Sequence, residues 1–126
     1  TISASGAGAG FTKLYYQDIW ASDCSYIDKN ITEYVYFFYL FLKNKQKEIS
    51  NLQRGSAQPH VYPKDLMGLK IIYSQDFVNE FNDLITPLFE LIGKLKDKNI
   101  ILIKTRDLLI PQLVTGKREL KNYQTS

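Results

Sequence analysis

The side chains best suited to specific chemistry lie in one short stretch, GSAQPHVYPKDL, which runs from Gly55 to Leu66 between two apolar segments. This stretch holds the only histidine of the chain, His60, and places Gln58 between a small residue and Pro59. A glutamine amide can bond bidentately to adenine in the major groove of DNA, and an adjoining proline restricts the backbone that carries it. Gln58 is therefore a candidate for base recognition, or else it bonds to its own backbone and shapes the loop.

The charge around this stretch favours a polyanionic partner. Between Lys43 and Lys70, six basic residues stand against two acidic ones, in a chain whose net charge is +3. Such an excess attracts phosphate, although the same pattern also occurs on solvated faces. Because Lys43, Lys45 and Lys47 alternate along a predicted helix, at most two of them are expected to contact DNA. The expected phosphate contacts, which position a protein without reading sequence, are Arg54, Ser56, Lys64, Lys45 and Lys47.

Catalytic and metal chemistry is poorly represented. His60 has no candidate nucleophile, so we expect it to bond a nearby carbonyl or to contact DNA rather than to act as a base. One cysteine, Cys24, and one histidine are too few for a zinc site, and Cys24 alone forms no internal disulfide. The glycine-rich segment Ser3–Gly10 lacks the Gly-Lys-Ser/Thr ending of nucleotide loops, so we expect a tight turn near DNA or an ordinary β-turn. The sequence predicts neither an enzyme nor a bound cofactor or metal.

The elements that must position these residues belong to the α+β class, with a small mixed sheet and one packed helix. The 126 residues suffice for one domain, or one domain with an extension. A helix is expected from about Ile31 to Leu52 with Asn30 as its N-cap, a tight turn over Pro63–Leu66, and Tyr62 in the core. Strands are expected at the start of the chain, over Phe11–Gln17, within Trp20–Ile27 and over Leu69–Ser74.

A long carboxy-terminal helix of coiled-coil type follows, from Ser74 to Val114. Its apolar residues recur every seven positions, a pattern that requires a second helix to cover it. Pro87 is expected to break or kink this helix, and Gly116 to end it. The residues expected to form the pairing stripe are Phe77, Phe81, Leu84, Leu88, Leu91, Leu95, Leu102 and Leu109.

The charge along this helix predicts how it pairs. Its first half is acidic from Asp76 to Glu90, and its second half is mainly basic from Lys94 to Arg106. An antiparallel partner of the same kind would place acidic turns beside basic turns, whereas a parallel copy would place like charges together. We therefore expect an antiparallel pair, with a second copy of the chain or with a related helix.

Two stretches carry a resemblance to a known family. The segment KTRDLLIPQLVTGKREL, Lys104–Leu120, resembles the distal helix of the specificity subunit of type I restriction–modification enzymes. The stretch from Gly55 to Leu66 resembles the loop that closes a target-recognition domain of these subunits, and TISASGAGAGF resembles the strand–turn–strand of such domains. Ser5 departs from the pattern, because a basic residue is often found in that turn.

The resemblance implies a non-catalytic DNA reader. In the family, each recognition domain reads one half of a split target in double-stranded DNA, and the helices fix the spacing and dock methyltransferase subunits and, through them, the endonuclease subunit. Accordingly, residues 1–73 would be part of a recognition domain, residues 74–116 a spacer and dimerisation helix, and residues 117–126 a flexible tail. The chain resembles a carboxy-terminal piece, or a half subunit that dimerises.

The competing interpretation is a scaffold protein whose coiled-coil helix binds a partner and which does not bind DNA. The excess of basic residues and the Gln58 loop favour the DNA reader. The apolar run YVYFFYLFL is nine residues long, short of the roughly 20 that span a bilayer. With a single cysteine, the composition is typical of a cytoplasmic protein.

Overall fold

A computed structural model describes residues 1–55 and 57–117 of the chain. The α+β class is confirmed, with a small antiparallel two-stranded sheet, several short helices and one long helix. The chain divides into two compact units, one up to Phe89 and the other from Glu90 onward. In order, the elements are β1 (Ile2–Ser3), a 3-10 turn (Gly6–Gly8), β2 (Cys24–Ser25), α1 (Val35–Asn44), α2 (Gln46–Ser50), α3 (Pro63–Leu66) and α4 (Gln75–Val114).

The segment around β1 is the centre of the backbone hydrogen bonding. Ile2 pairs with Ser25 and Ser3 with Cys24, while the Ser3 amide donates to Phe11, which closes a hairpin around the glycine-rich turn. After β1, the backbone of Ala4 forms hydrogen bonds with two different segments of the chain. Its N–H donates to the Asp23 carbonyl at 2.9 Å, and its carbonyl accepts from the Val61 N–H at 2.8 Å. The expected strands at the start of the chain and within Trp20–Ile27 are therefore confirmed as β1 and β2.

The core of the first unit lies between the glycine-rich turn and α2. Ile2, Ala9, Ile49 and Val61 form a buried cluster, and Gly10 lies against it with φ at +75°. A Cβ at Gly10 would lie 3.1 Å from the Ile49 side chain, so only glycine brings the turn this close. The leucines that pack around the cluster are Leu42, Leu52, Leu66 and Leu69.

Glutamine side chains fasten the turn to α2. The Gln46 amide accepts from the Thr12 N–H at 3.0 Å and donates to the Gly10 carbonyl at 2.8 Å. The Gln53 amide donates to the Ala9 carbonyl at 2.8 Å. These bonds satisfy backbone groups of the irregular turn, which lie next to a core where unpaired polar groups are costly.

Aromatic side chains pack the first turns of α4 onto α1. Phe89 stacks on Tyr36 with ring centroids 4.7 Å apart, and Phe81 meets Phe37 edge to face at 6.0 Å. Val78 is fully buried beside this layer. Burial of this aromatic area stabilises the packing of α4 on α1.

Several predicted helix bounds and strands differ from the structure. The helix expected from Ile31 begins instead at Val35, because the Asp28 carboxylate accepts the N–H groups of Asn30 and Ile31 and holds them in a turn. It is also interrupted at Lys45, between α1 and α2. Neither Phe11–Gln17 nor Leu69–Ser74 forms a strand, although Thr12 makes an isolated bridge to Ile2. The expected tight turn over Pro63–Leu66 is the single-turn helix α3.

The long helix matches its prediction more closely. α4 covers Gln75–Val114, so the prediction that Pro87 could break it was wrong. The flanking Ile85 and Phe89 are packed in the first unit and offset the hydrogen bond that proline removes. Gly116, with φ at +68°, donates its N–H to the Leu113 carbonyl and ends the helix as expected. Over the residues described, no helix is long and apolar enough to span a membrane.

Candidate nucleic-acid interface

Three loops meet at the carboxyl end of β1. The first is the Gly6–Gly8 turn, which follows β1 directly. The second is the segment that enters β2 through Asp23, and the third is the loop between Arg54 and His60. The Gly6 N–H donates to the Pro59 carbonyl at 3.0 Å, and Ser5 forms a bridge with His60. We call the surface formed by these three loops the loop edge.

The loop between Arg54 and His60 is closed by a pair of backbone hydrogen bonds. The N–H of each residue donates to the carbonyl of the other at 2.8 Å. Within the loop, Gly55 has φ at +91°, and a Cβ there would lie 2.8 Å from the Gln58 carbonyl. The loop therefore folds back on Gly55, a constraint that sequence reasoning missed although a glycine at a loop entry is a recognisable sign of it. Gln58 is exposed, as a recognition side chain must be.

His60, Tyr62 and Lys64 form a short ladder of side chains beyond the loop. The His60 and Tyr62 rings stack with centroids 6.1 Å apart, and the Lys64 ammonium lies 5.8 Å from the Tyr62 ring. Tyr62 is exposed rather than in the core, which corrects the prediction for this residue. Extended backbone explains the stacking of His60 on Tyr62, since alternate side chains share a face while Val61 between them is buried, and Lys64 reaches the Tyr62 ring from the first turn of α3.

Two of the predicted phosphate-binding side chains are already engaged. The Arg54 guanidinium forms an ion pair with Asp65 at 2.6 Å, and the Lys45 ammonium pairs with Glu48 at 2.7 Å. Both cations remain partly exposed, so phosphate could compete for them. Among the residues described, Lys47 and Lys64 form no ion pair. Ser56 lies outside the described residues.

A groove on the outer face of the β1 hairpin was not predicted from the sequence. It has a volume of about 280 Å³ and is lined by Phe11, Lys13, Tyr15 and Trp20, with Trp20 93% exposed. The Lys13 ammonium lies 4.7 Å from the centre of the Tyr15 ring, and the Lys43 ammonium 4.6 Å from that of Phe11. The alternation of Phe11, Lys13 and Tyr15 is a period-two pattern that could have indicated this shared face.

The segment that carries Trp20 is anchored on both sides. Burial raises the pKa of the Tyr16 phenol, and the nearby Tyr36 and Tyr39 raise it further, so this phenol stays neutral where the segment meets α1. At the other end, the Ser5 hydroxyl donates to the Asp23 carboxylate. Asp23 has φ at +49°, a left-handed conformation that aspartate adopts more readily than most residues.

The predicted pairing stripe of α4 divides between the two units. In the first unit, Phe81 contacts Phe37 and stacks on Phe77 at 5.9 Å, so it is used within the chain. In the second unit, Leu109 is half-buried. The other predicted positions are more than half exposed, namely Phe77, Leu84, Leu88, Leu91, Leu95 and Leu102. No cluster of His, Cys, Asp and Glu that could hold a metal ion occurs within residues 1–55 and 57–117.

Comparison with known proteins identifies relatives of this chain. A family model described as the type I restriction modification DNA specificity domain matches residues 1–75. The type I restriction enzyme MjaIX specificity subunit of Methanocaldococcus jannaschii is 34% identical over 88 residues, which cover 69% of this chain and 20% of that protein. The chain thus spans a fifth of the length of this curated relative. No solved structure matches it significantly.

Proposed function

The chain belongs to the family of type I restriction–modification DNA specificity domains, and we propose that it reads one half of a bipartite target in double-stranded DNA. The observation that carries this proposal is the loop edge, where the closed Gln58 loop, the His60–Tyr62–Lys64 ladder and the glycine-rich turn lie together. A rigid scaffold that holds exposed donors and acceptors on loops is what base recognition requires.

The proposed DNA contacts would divide between two tasks. Gln58 and His60 belong to the loop edge, whereas Lys47 and Lys64 lie on α2 and α3. Gln58 is exposed at the tip and can pair with a base edge, while His60 is held by Tyr62 and can add a second hydrogen bond. Lys47 and Lys64 are available to bind phosphate, and Arg54 and Lys45 would first have to leave Asp65 and Glu48. Ser56 belongs to the same proposed phosphate set. Phosphate contacts would fix the register and the loop would read the sequence.

Residues 74–116 would form the spacer and dimerisation helix, and residues 1–73 the recognition part. The exposed stripe through Leu91, Leu95 and Leu102 needs a partner helix, and the acidic first half and basic second half favour an antiparallel one. That partner would be a second recognition domain or a second copy of the chain. The proposed tail, residues 117–126, lies almost wholly outside the described residues.

The chain would work as the non-catalytic part of a larger complex. In this proposal methyltransferase subunits dock on the paired helices and carry the modification chemistry, and the endonuclease subunit joins through them. The complex would act in the cytoplasm, where the DNA is, and the chain itself would need no cofactor. Its relative is a specificity subunit of a type I restriction enzyme, which supports this placement.

A scaffold without DNA binding is the second candidate. The long exposed apolar stripe of α4 favours it, because that stripe serves partner binding whether or not the loop edge meets DNA. The two candidates differ in what they predict for Gln58, which has no role in a scaffold.

Selection from a pool of random duplexes tests the proposal. The full chain, assembled with its methyltransferase subunits, is expected to enrich one gapped sequence motif. Gln58→Ala should change the preferred base at one or more positions of one half of that motif, whereas Gln17→Ala, outside the loop edge, should leave it unchanged. An enriched motif identical for Gln58→Ala and the parent would remove Gln58 from base recognition. Failure to enrich any motif would favour the scaffold.

A further inference from the structure

We propose that the groove beneath Trp20 is a second DNA-contacting site, in which the indole stacks against a base step while Lys13 and Lys43 bind the adjoining phosphates. This inference rests on the proposed function and adds to it a contact outside the Gln58 loop. It concerns duplex DNA that is locally unstacked, the state produced when an apolar side chain inserts between bases.

Trp20 is held in solvent by a fixed support. The Asp23 carbonyl accepts the Ala4 N–H at 2.9 Å, and the Asp23 carboxylate accepts from the Ser5 hydroxyl. These bonds join the end of the Trp20 segment to the same residues that carry the loop edge. An exposed tryptophan on an anchored loop is placed for contact with a ligand, since an indole gains little from hydration.

Two rings of the groove lining, those of Phe11 and Tyr15, each pair with a cation, of which Lys13 belongs to the lining itself. Phe11 and Tyr15 are exposed on the side of the hairpin opposite the buried Thr12, and each ring carries an ammonium group within 5 Å of its centre. Grooves that combine aromatic faces with basic side chains are typical of nucleic-acid sites that bind unstacked bases. In such sites the ammonium groups bind the phosphates, and the ring faces stack on the bases.

The charged side chains around the groove favour an anionic partner. An apolar protein partner seated on this groove would bury the Lys13 ammonium, and cover the Lys43 ammonium over the Phe11 ring, without supplying anions to pair with them, which is unfavourable. A DNA strand supplies phosphates for the ammonium groups and bases for the aromatic rings. Asp23, the acidic residue of the groove lining, accepts the Ser5 hydroxyl at one carboxylate oxygen and keeps its charge, which Lys13 and Lys43 have to outweigh. DNA is therefore the occupant that the groove fits best.

The chain offers two built-in probes of this site. Trp20 is its only tryptophan, so intrinsic tryptophan fluorescence reports on this one position. Cys24 is its only cysteine and also lines the groove, so its reaction with a thiol reagent reports on access to the same place. Neither probe requires a substitution, and both apply to the full chain.

The experiment titrates the full chain with a short fluorescein-labelled duplex that contains the enriched motif. We expect duplex binding to quench Trp20 emission and to slow modification of Cys24. Trp20→Ala should weaken binding by about 10-fold or more, in line with the loss of one stacked base, and Trp20→Phe should retain most of the affinity. Ile72→Ala is the matched control, because Ile72 is 97% exposed but does not line the groove.

The outcomes separate this inference from the proposed function. If the duplex binds but neither quenches Trp20 nor protects Cys24, and Trp20→Ala binds like the parent, the groove is not a DNA site and the Gln58 loop remains the reader. If the assembled complex enriches no motif and the folded parent chain binds no duplex, the proposed function fails together with this inference. Circular dichroism of Trp20→Ala checks that the variant is folded. If it is not, Trp20 fluorescence and Cys24 modification in the parent chain test the inference.

Discussion

Arg54 and Asp65 form an ion pair, with Nη2 and Oδ1 separated by 2.6 Å, that joins the Gln58 loop to the single-turn helix α3. The guanidinium side is 60% exposed, whereas the carboxylate side is 12% exposed. The second carboxylate oxygen of Asp65 is buried and has no hydrogen-bond partner in the described part of the chain. The pair therefore orients Arg54 and at the same time reduces its availability to phosphate.

The variant Asp65→Asn is expected to bind duplex DNA more tightly than the parent. Release of Arg54 adds one cation to the loop edge, so the slope of log affinity against log salt should steepen by about 0.9. The free energy of unfolding should fall by only about 0.2–1 kcal/mol, because the lost ion pair is partly solvated. Glu48→Gln, which releases Lys45, is the matched comparison. Weaker binding by Asp65→Asn would show that orientation of Arg54 matters more than its charge.

Gly55→Ala should distort the Gln58 loop. Its φ of +91° is strained for alanine, and the new methyl group would lie 2.8 Å from the Gln58 carbonyl. We expect a loss of about 1–3 kcal/mol in the free energy of unfolding, measured by urea denaturation, and a larger loss of DNA affinity. In Gly8→Ala, the control, the added methyl group meets nothing within 4 Å. Equal stability of the two variants would contradict the geometry assigned to the loop.

The sequence predicted the elements that depend on local periodicity and missed those that depend on distant partners. The stripe of α4 and the stop at Gly116 follow from spacing within one helix, and both could be written down in advance. Phe11–Gln17 has the composition of a strand, yet only Thr12 bridges, because β1 is paired with β2 along one edge and exchanges few bonds with this segment. Composition does not reveal which partner a strand-like segment finds.

The candidate site shows the same division. Gln58, His60 and Lys64 were recognised from residue type, and the structure places both His60 and Lys64 close to the Tyr62 ring. The engagement of Arg54 by Asp65 involves residues in two different elements and could not be predicted from one sequence. The exposure of Trp20 likewise depends on the anchoring of its segment at Asp23, through contacts with Ala4 and Ser5 that lie far away in the chain.

Gln46→Ala should destabilise the first unit without altering the DNA motif. The substitution leaves the Thr12 N–H and the Gly10 carbonyl without their partner, beside the buried cluster of Ile49 and Val61. A loss of about 1–3 kcal/mol in unfolding free energy is expected from chemical denaturation. Gln58→Ala should show the reverse pattern, with unchanged stability and altered specificity. If Gln46→Ala unfolds like the parent, the turn is held by packing alone.

The double variant Leu95→Lys/Leu102→Lys should abolish self-association of the chain, because two charges would be buried in the helix seam. Sedimentation velocity measures the change in mass. Ile100→Lys adds the same kind of charge on the side of the helix opposite Leu95 and should leave the association intact. A parent chain that sediments as a monomer without its partner subunits would restrict the pairing to a related helix. A double variant that sediments like an associated parent would exclude this stripe as the seam.

The most direct measurement is the salt dependence of duplex binding by the assembled complex, for the parent and for Lys47→Ala and Lys64→Ala. If the loop edge meets DNA, affinity falls steeply with salt, and each substitution lowers the slope of log affinity against log salt by about 0.9. Slopes for both variants equal to that of a DNA-binding parent would place the phosphate contacts elsewhere and contradict the loop edge as the DNA-binding surface.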